Sequence, residues 1–263
     1  MRTSAFPAGH PCWIDLVTDD LPAALDFYTT LFGWTATDQG PDFGHYHRIT
    51  AAAGNEIAGA MAKAEGHDVP NLWTVYLATA DAAATQDAAV AAGASVYAPA
   101  MEVHDLGSML VLGDPSGAHI GAWQPGTHIG FDLNDSVGTP MWFELLSLNY
   151  DAAVAFYRDA FGWDAQTMAD TAEFRYTTNG SGDDAVSGIM DATAMLPDGV
   201  PSNWGVYFCT HDADAAAERV VALGGSVFMG PHDTPYGRLV AAADCTGAPF
   251  NLMDPTRIVA DPG

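Results

Sequence analysis

Among the side chains of this 263-residue chain that could do chemistry are its nine histidines, some with an acid beside them. His45-Tyr46-His47 reads as part of a strand over roughly 43–50, and strand alternation then puts both imidazoles on one face. Such a pair can chelate a cation or move protons near neutral pH, or simply stand at a half-exposed edge. His104-Asp105 and His232-Asp233 each precede a later strand, and His104 joins His45 and His47 as a proton-transfer candidate. Cys12, Cys209 and Cys245 are odd in number, widely spaced and outside any Cys-x-x-Cys. They indicate neither a disulfide framework nor a zinc knuckle and read as small buried hydrophobes. No dinucleotide-binding glycine fingerprint follows a strand, so a flavin-type oxidant has no visible seat and no cofactor is assigned.

These groups need a frame to hold them. An apolar fraction of 49% with seven Trp, nine Tyr and twelve Phe is that of a folded globular chain. Thirty-three acids against eight bases give a formal charge of −25, which repels phosphate backbones and anionic lipid, so neither nucleic acid nor a membrane is an expected partner. The opening MRTSAFPAGHPCW has no apolar signal region and no stretch of eighteen apolar residues occurs, so a soluble cytoplasmic protein is expected.

The frame repeats itself. Asp20-Leu21-Pro22-Ala23-Ala24-Leu25-Asp26-Phe27-Tyr28, then Leu31-Phe32-Gly33-Trp34, returns as Asn149 to Tyr157 and Ala160-Phe161-Gly162-Trp163. Tyr28 and Tyr157 are 129 residues apart, as are Gly59 and Gly188, while Asp114 and Asp244 are 130 apart. Trp73 and Trp204, 131 apart, each open a Trp-x-Val-Tyr strand. Such an offset over so many positions is a duplication. In each copy Asp20 or Asn149 caps a helix whose stripe is Leu21, Ala24, Leu25, Tyr28 and Phe32, or Tyr150, Ala153, Val154, Tyr157 and Phe161. Short strands precede and follow at 12–18 and about 43–50, 55–62, 72–79, 96–101, 108–113 and 118–124, with turns at Gly44, Gly54, Gly107 and Pro115-Ser116-Gly117 and further helices over 81–92 and 212–223. The expected architecture is α+β: four β-α-β-β-β modules forming two curved, barrel-like mixed sheets with helices outside. Residues 1–125 and 141–263 make the two domains and the polar, turn-rich 126–140 the linker.

The strand before Asp20-Leu21, the Phe27-Tyr28 to Trp34 run and the closing Asp114-Pro115-Ser116-Gly117-Ala118-His119-Ile120 resemble the vicinal oxygen chelate superfamily, which includes glyoxalases, bleomycin-resistance proteins and extradiol dioxygenases. The second copy carries the same elements with its closing turn altered to Asp244-Cys245-Thr246-Gly247-Ala248. The Pro11-Cys12-Trp13-Ile14-Asp15-Leu16 opening and the Trp123 to Gly130 junction resemble an actinobacterial, tandem-domain, hydroxylase-like subgroup. The resemblance implies metal ligands on the first strand, on the Trp-x-Val-Tyr strand and four residues past the closing glycine. Those positions hold Trp13, Thr74 and Gly121 in the first copy, and Trp142, Gly205 and Asn251 in the second. None is a useful donor set for a divalent ion, so no metal is assigned.

Asp15 and Glu144 stand two residues beyond the emptied ligand positions, on the same strand face. An acid in an apolar, Trp-lined concavity is favoured as the neutral form and suits general acid or base work, although a buried brace is the plainer reading. Arg238, opposite Ser108 in the repeat, can polarise a carbonyl, pair with Glu144, or lie on the surface. Trp13, Trp73, Trp123, Trp142, Trp204, Tyr46, Tyr207 and Met61 are the candidates to line a site for a flat aromatic molecule, against the alternative that they fill the core. The function expected is metal-independent tailoring of an aromatic, polyketide-like compound by cyclisation, dehydration or related acid–base chemistry. Sequestration of a hydrophobic drug and a hydroxylase-like or stress role are the alternatives. The partner is a hydrophobic or aromatic small molecule, and the chain is expected as a monomer or homodimer.

Overall fold

Asp20 accepts a hydrogen bond from the Ala23 amide at 3.1 Å and Gly33 leaves the helix with φ +73°, so the first helix begins and ends where a side-chain acceptor and a residue without Cβ allow it. The computed structural model describes residues 5–64, 66, 69–133 and 136–259. In the first copy the elements are β1 (Pro11–Thr18), α1 (Leu21–Phe32), β2 (Thr35–Asp38), β3 (His47–Thr50), β4 (Glu56–Ala62), β5 (Leu72–Ala78), α2 (Ala82–Ala91), β6 (Ser95–Val103), β7 (Gly107–Gly113) and β8 (His119–Pro125). The second copy repeats them as β9 (Pro140–Ser147), α3 (Tyr150–Phe161), β10 (Ala165–Asp170), β11 (Arg175–Asn179), β12 (Ser187–Asp191), β13 (Asn203–Cys209), α4 (Ala213–Ala222), β14 (Ser226–Thr234), β15 (Gly237–Ala243) and β16 (Pro249–Asp254).

The strands form two mixed eight-stranded sheets of identical order, β2-β3-β4-β1-β5-β8-β7-β6 and β10-β11-β12-β9-β13-β16-β15-β14. Each order runs from edge to edge, so the sheets are open. The four modules are those the repeat implies. One local expectation fails. The strand expected over 43–50 is a tight turn at Pro41–Phe43, left-handed residues at Gly44 and His45, and only then β3, while β2 was not foreseen. Proline and glycine at 40, 41 and 44 set the turn, and a strand cannot pass through two consecutive positive φ angles.

Packing divides the chain differently from its repeat. One compact unit comprises Met1–Trp13, Thr74–Gly130 and Trp142–Gly205; the other comprises Ile14–Trp73, Phe131–Met141 and Val206–Gly263. Each therefore takes one module from each copy. The expected linker is shared, with 126–130 in the first unit and 131–140 assigned to the second; residues 134 and 135 lie outside the described ones. No helix among the described residues is long and apolar enough to cross a membrane.

Within each unit three repeated motifs meet. In the first, Trp204 Nε1 donates to Tyr157 Oη at 2.8 Å and that hydroxyl donates to Asp114 Oδ2 at 2.9 Å. Asp114 Oδ1 closes its own turn by accepting from the Ser116 amide and hydroxyl and the Ala118 amide. In the second, Trp73 Nε1 donates to Tyr28 Oη at 2.9 Å, Tyr28 lies parallel to Trp34 at 5.3 Å, and Phe250 meets its ring edge-on at 5.5 Å. Burial, followed by the charge of Asp244, raises the Tyr28 phenol well above its usual value. Each such aromatic pair adds about 0.5–1.5 kcal/mol beyond its buried area. In the first unit the helix tyrosine of one copy is thus bonded to the closing-turn aspartate of the other, and in the second the charge of Asp244 bears on Tyr28.

Candidate functional site

Along β1, Ile14 and Leu16 sink into the core and are 0% and 1% exposed, so Asp15 points to the other face, where it is 8% exposed. There Tyr46 Oη donates to Asp15 Oδ1 at 2.6 Å. Asp15 pairs in register with Gly59 on β4, and Gly59 with Arg48 on β3. The glycine is the seat of the phenol: a Cβ there would lie 1.7 Å from Tyr46 Oη and 2.4 Å from Asp15 Oδ1. Arg48, half-buried, donates from Nη1 to Glu56 Oε1 at 3.1 Å, so this face carries a second ionic group beside the carboxyl–phenol pair. Met61 follows two residues along β4, opposite Val17, and is half-buried.

The other unit holds the same device with different surroundings. Glu144 on β9 is 6% exposed, between buried Phe143 and Leu145 on the opposite face. Tyr176 Oη donates to Glu144 Oε1 at 2.7 Å and accepts from Trp142 Nε1 at 3.2 Å, which makes an indole–phenol–carboxyl chain. Gly188 is again the floor, where a Cβ would lie 2.1 Å from Tyr176 Oη. Thr178 registers with Gly188 as Arg48 does with Gly59, so the guanidinium of the first copy has a hydroxyl as its counterpart.

The remaining candidates are dispersed. Trp13 and Trp123 are buried around His128, at ring distances of 4.4 and 5.6 Å, and Trp123 Nε1 donates to the His128 carbonyl at 2.9 Å. Trp73 and Trp204 belong to the aromatic cores described above, on the strand face opposite Thr74 and Tyr207. Strand alternation, which places Trp13 and Trp142 with the acids, places these two with the helices. Tyr207, 9% exposed, pairs in register with Asn251. His45 and His47 do not share a strand face. His45, with φ +58°, is exposed and pairs its Nδ1 with Asp38 Oδ2 at 2.9 Å, lowering Asp38, while His47 Nδ1 donates to the His45 carbonyl. His104 is exposed in the β6–β7 turn at φ +48°. Arg238 is clamped by Asp214 and Asp233 at 2.7 Å each, and these hydrogen bonds raise its pKa further, which explains its presence as a tie between α4 and the β14–β15 hairpin. Cys12 and Cys209 are buried as expected, and burial pushes the Cys12 thiol up; Cys245 is exposed.

The positions where the superfamily holds its metal do not fit one. Trp13 and Trp142 offer no donor, and Gly121 is covered by the ring of Tyr76, whose Cδ1 would be 2.3 Å from an added Cβ. A carboxylate cannot enter there without displacing the tyrosine. Among the described residues no three His, Cys, Asp or Glu side chains are grouped to hold a metal ion.

The sequence profile of the Glyoxalase/Bleomycin resistance protein/Dioxygenase superfamily matches residues 10–121 and 141–262. The chain belongs to this superfamily. It is 35% identical over 270 residues to the anthracycline biosynthesis protein DauV of Streptomyces sp. (strain C5), covering 95% of this chain and 94% of that protein. It is 37% identical over 258 residues to a Mycobacterium tuberculosis protein provisionally designated glyoxylase CFP32, covering 97% and 98%. The Mn(II)-bound glyoxalase from Novosphingobium aromaticivorans aligns with TM-score 0.60 at 15% identity over 96% of this chain and 84% of its own, a likeness of fold.

Tyr176, Arg48 and His128 were not among the residues singled out in the sequence. A signal for the first was available, since Tyr46 and Tyr176 are 130 apart and precede glycines 129 apart.

Proposed function

We propose that the protein is a tailoring enzyme for an aromatic, polyketide-like natural product, using a carboxyl–tyrosine pair for proton transfer and no metal at the superfamily positions. The observation that carries this reading is the pairing of Tyr46 with Asp15 at 2.6 Å and of Tyr176 with Glu144 at 2.7 Å, beside ligand positions given over to tryptophan. The similarity to an anthracycline biosynthesis protein supports the substrate class. Asp15 or Glu144 accepts a proton from a carbon beside a substrate carbonyl, the tyrosine hydroxyl steadies the carboxylate, and the carboxyl returns the proton to a departing hydroxyl or to the oxygen of a closing ring. Such proton transfer contributes about 10²- to 10⁴-fold in rate. The proposal places the protein in the cytoplasm with a hydrophobic small molecule as partner.

A second reading, sequestration without conversion, draws on Trp142, whose indole donates to the phenol already donating to Glu144, an arrangement that also suits a brace. Asp15→Asn and Glu144→Gln, each offered polycyclic aromatic polyketides with products followed by mass spectrometry, separate the two. Loss of product with either variant supports the enzyme; binding by the wild type with no product from any compound would transfer the assignment to sequestration.

A further inference from the structure

Phe174 is 47% exposed, which for a lone aromatic would need no explanation. Its setting is what sets it apart. The turn before β11 pins its backbone from both sides, because the Thr171 amide donates to the Phe174 carbonyl at 3.0 Å and the Phe174 amide donates to Thr171 Oγ1 at 3.1 Å. Its ring lies parallel to Tyr176, 5.7 Å between centroids and 11° between planes. Tyr176 is fixed in turn at its hydroxyl by Trp142 and Glu144. An exposed ring thus continues a run of preorganised aromatic groups that ends at a buried carboxyl.

Apolar side chains share this face with Thr178. Leu146 on β9 and Met190 on β12 pair in register and are both half-buried, and Met190 also pairs with Tyr176. In the other copy Val17 and Met61 take the places of Leu146 and Met190, while Arg48, bonded to Glu56, stands where this module has Thr178. The first carboxyl–tyrosine pair therefore has a guanidinium beside its floor glycine where the second has a hydroxyl.

We propose that Phe174, Tyr176 and Trp142, with Leu146 and Met190, form the ring-binding site for a planar fused polycyclic aromatic molecule, whose hydroxyl or carbonyl edge meets Glu144. This rests on the tailoring reading above and assigns substrate binding to the second copy. Stacking selects a flat partner, and a preordered platform loses little side-chain entropy when it is covered. The run from the Phe174 ring past the Tyr176 ring, 5.7 Å between centroids, to the carboxyl favours a fused plate over a single ring, which would cover less of it.

The test is calorimetric titration of the whole chain with dihydroxyanthraquinone as the fused-ring probe and catechol as the single-ring one. Binding of the anthraquinone is expected to exceed that of catechol by at least about tenfold, because the added rings hide more apolar surface. Phe174→Ala is expected to weaken anthraquinone binding roughly two- to tenfold, the worth of one aromatic pair, and Phe174→Trp to retain it. Phe228→Ala, at a still more exposed phenylalanine on β14, is expected to change nothing, which separates this platform from general adhesion. No anthraquinone binding by the wild type, equal binding by Phe174→Ala, or equal binding of catechol would overturn the site. Phe174-dependent binding with no conversion of any aromatic compound would sink the tailoring reading and leave the site standing; conversion with the same KM in Phe174→Ala would do the reverse.

Discussion

Replacing Gly59 with alanine should be far more damaging than adding a methyl group to a strand ordinarily is. The new Cβ would sit 1.7 Å from Tyr46 Oη, half an ordinary contact distance, so the phenol must leave and the 2.6 Å bond to Asp15 cannot survive. Losing a hydrogen bond to a buried carboxylate costs about 1.5–3 kcal/mol, and forced repacking about 1–3 kcal/mol. The total is about 2.5–6 kcal/mol, against about 1.5–3 kcal/mol for Tyr46→Phe, which removes the hydrogen bond alone. In a Tyr46→Ala background the phenol is gone and only the 2.4 Å approach to Asp15 Oδ1 remains, which the carboxyl can relieve by turning into the vacated space, so Gly59→Ala should cost less there than in the wild type. Urea denaturation of the four proteins of this cycle measures the coupling. A Gly59→Ala cost that is the same in both backgrounds, or that lies within about 0.5 kcal/mol of zero, would show that the glycine is not the seat of the tyrosine.

Trp204→Phe should lower stability by about 1–3 kcal/mol through the lost bond to Tyr157, yet leave binding of an aromatic ligand by folded protein unchanged; weaker binding would restore Trp204 to the site. Burial lifts the Asp114 carboxyl above the usual range, against the hydrogen bonds from Ser116, Tyr157 and Ala118 that lower it. An acid raised in the folded state contributes its stability fully below the unfolded pKa and loses it as pH rises through the folded one, so Asp114→Asn should flatten the fall in urea midpoint above about pH 4. Parallel curves for the two proteins would refute that assignment. Arg238→Ala should leave ligand binding and turnover intact and cause a small, salt-sensitive loss of stability, whereas a large fall in turnover would place Arg238 at the reacting groups.

Much of the fold is legible in the sequence because its motifs have local causes. Asp20 and Gly33 delimit a helix by capping alone, and the alternation of β1 separates Asp15 from Ile14 and Leu16. The emptied ligand positions are legible for the same reason, being fixed offsets from those motifs. The site is less so. Gly44 marks a turn in the sequence, but that His45 also turns left-handed and that Tyr46 then meets Asp15 is not contained in a reading of 43–50 as one strand. Gly59 and Gly188 are visible as a repeat, but their cause is a phenol from another strand. Trp73 and Trp204 have the composition of ligand-binding residues and face the helices, since one residue of phase decides the face. The sharing of modules between copies, with Tyr157 bonded to Asp114, leaves no trace in the spacing, because a repeat records ancestry and does not say which modules pack together.

The central claim is that a carboxyl–tyrosine pair, without a metal at the superfamily positions, converts an aromatic polyketide. Its most direct test is turnover by chelator-treated protein, with metal content measured, compared with Asp15→Asn and Glu144→Gln. The account predicts full turnover after chelation and a loss of about 10²- to 10⁴-fold in at least one variant. Turnover that depends on a stoichiometric divalent ion, or that survives both substitutions, would contradict it.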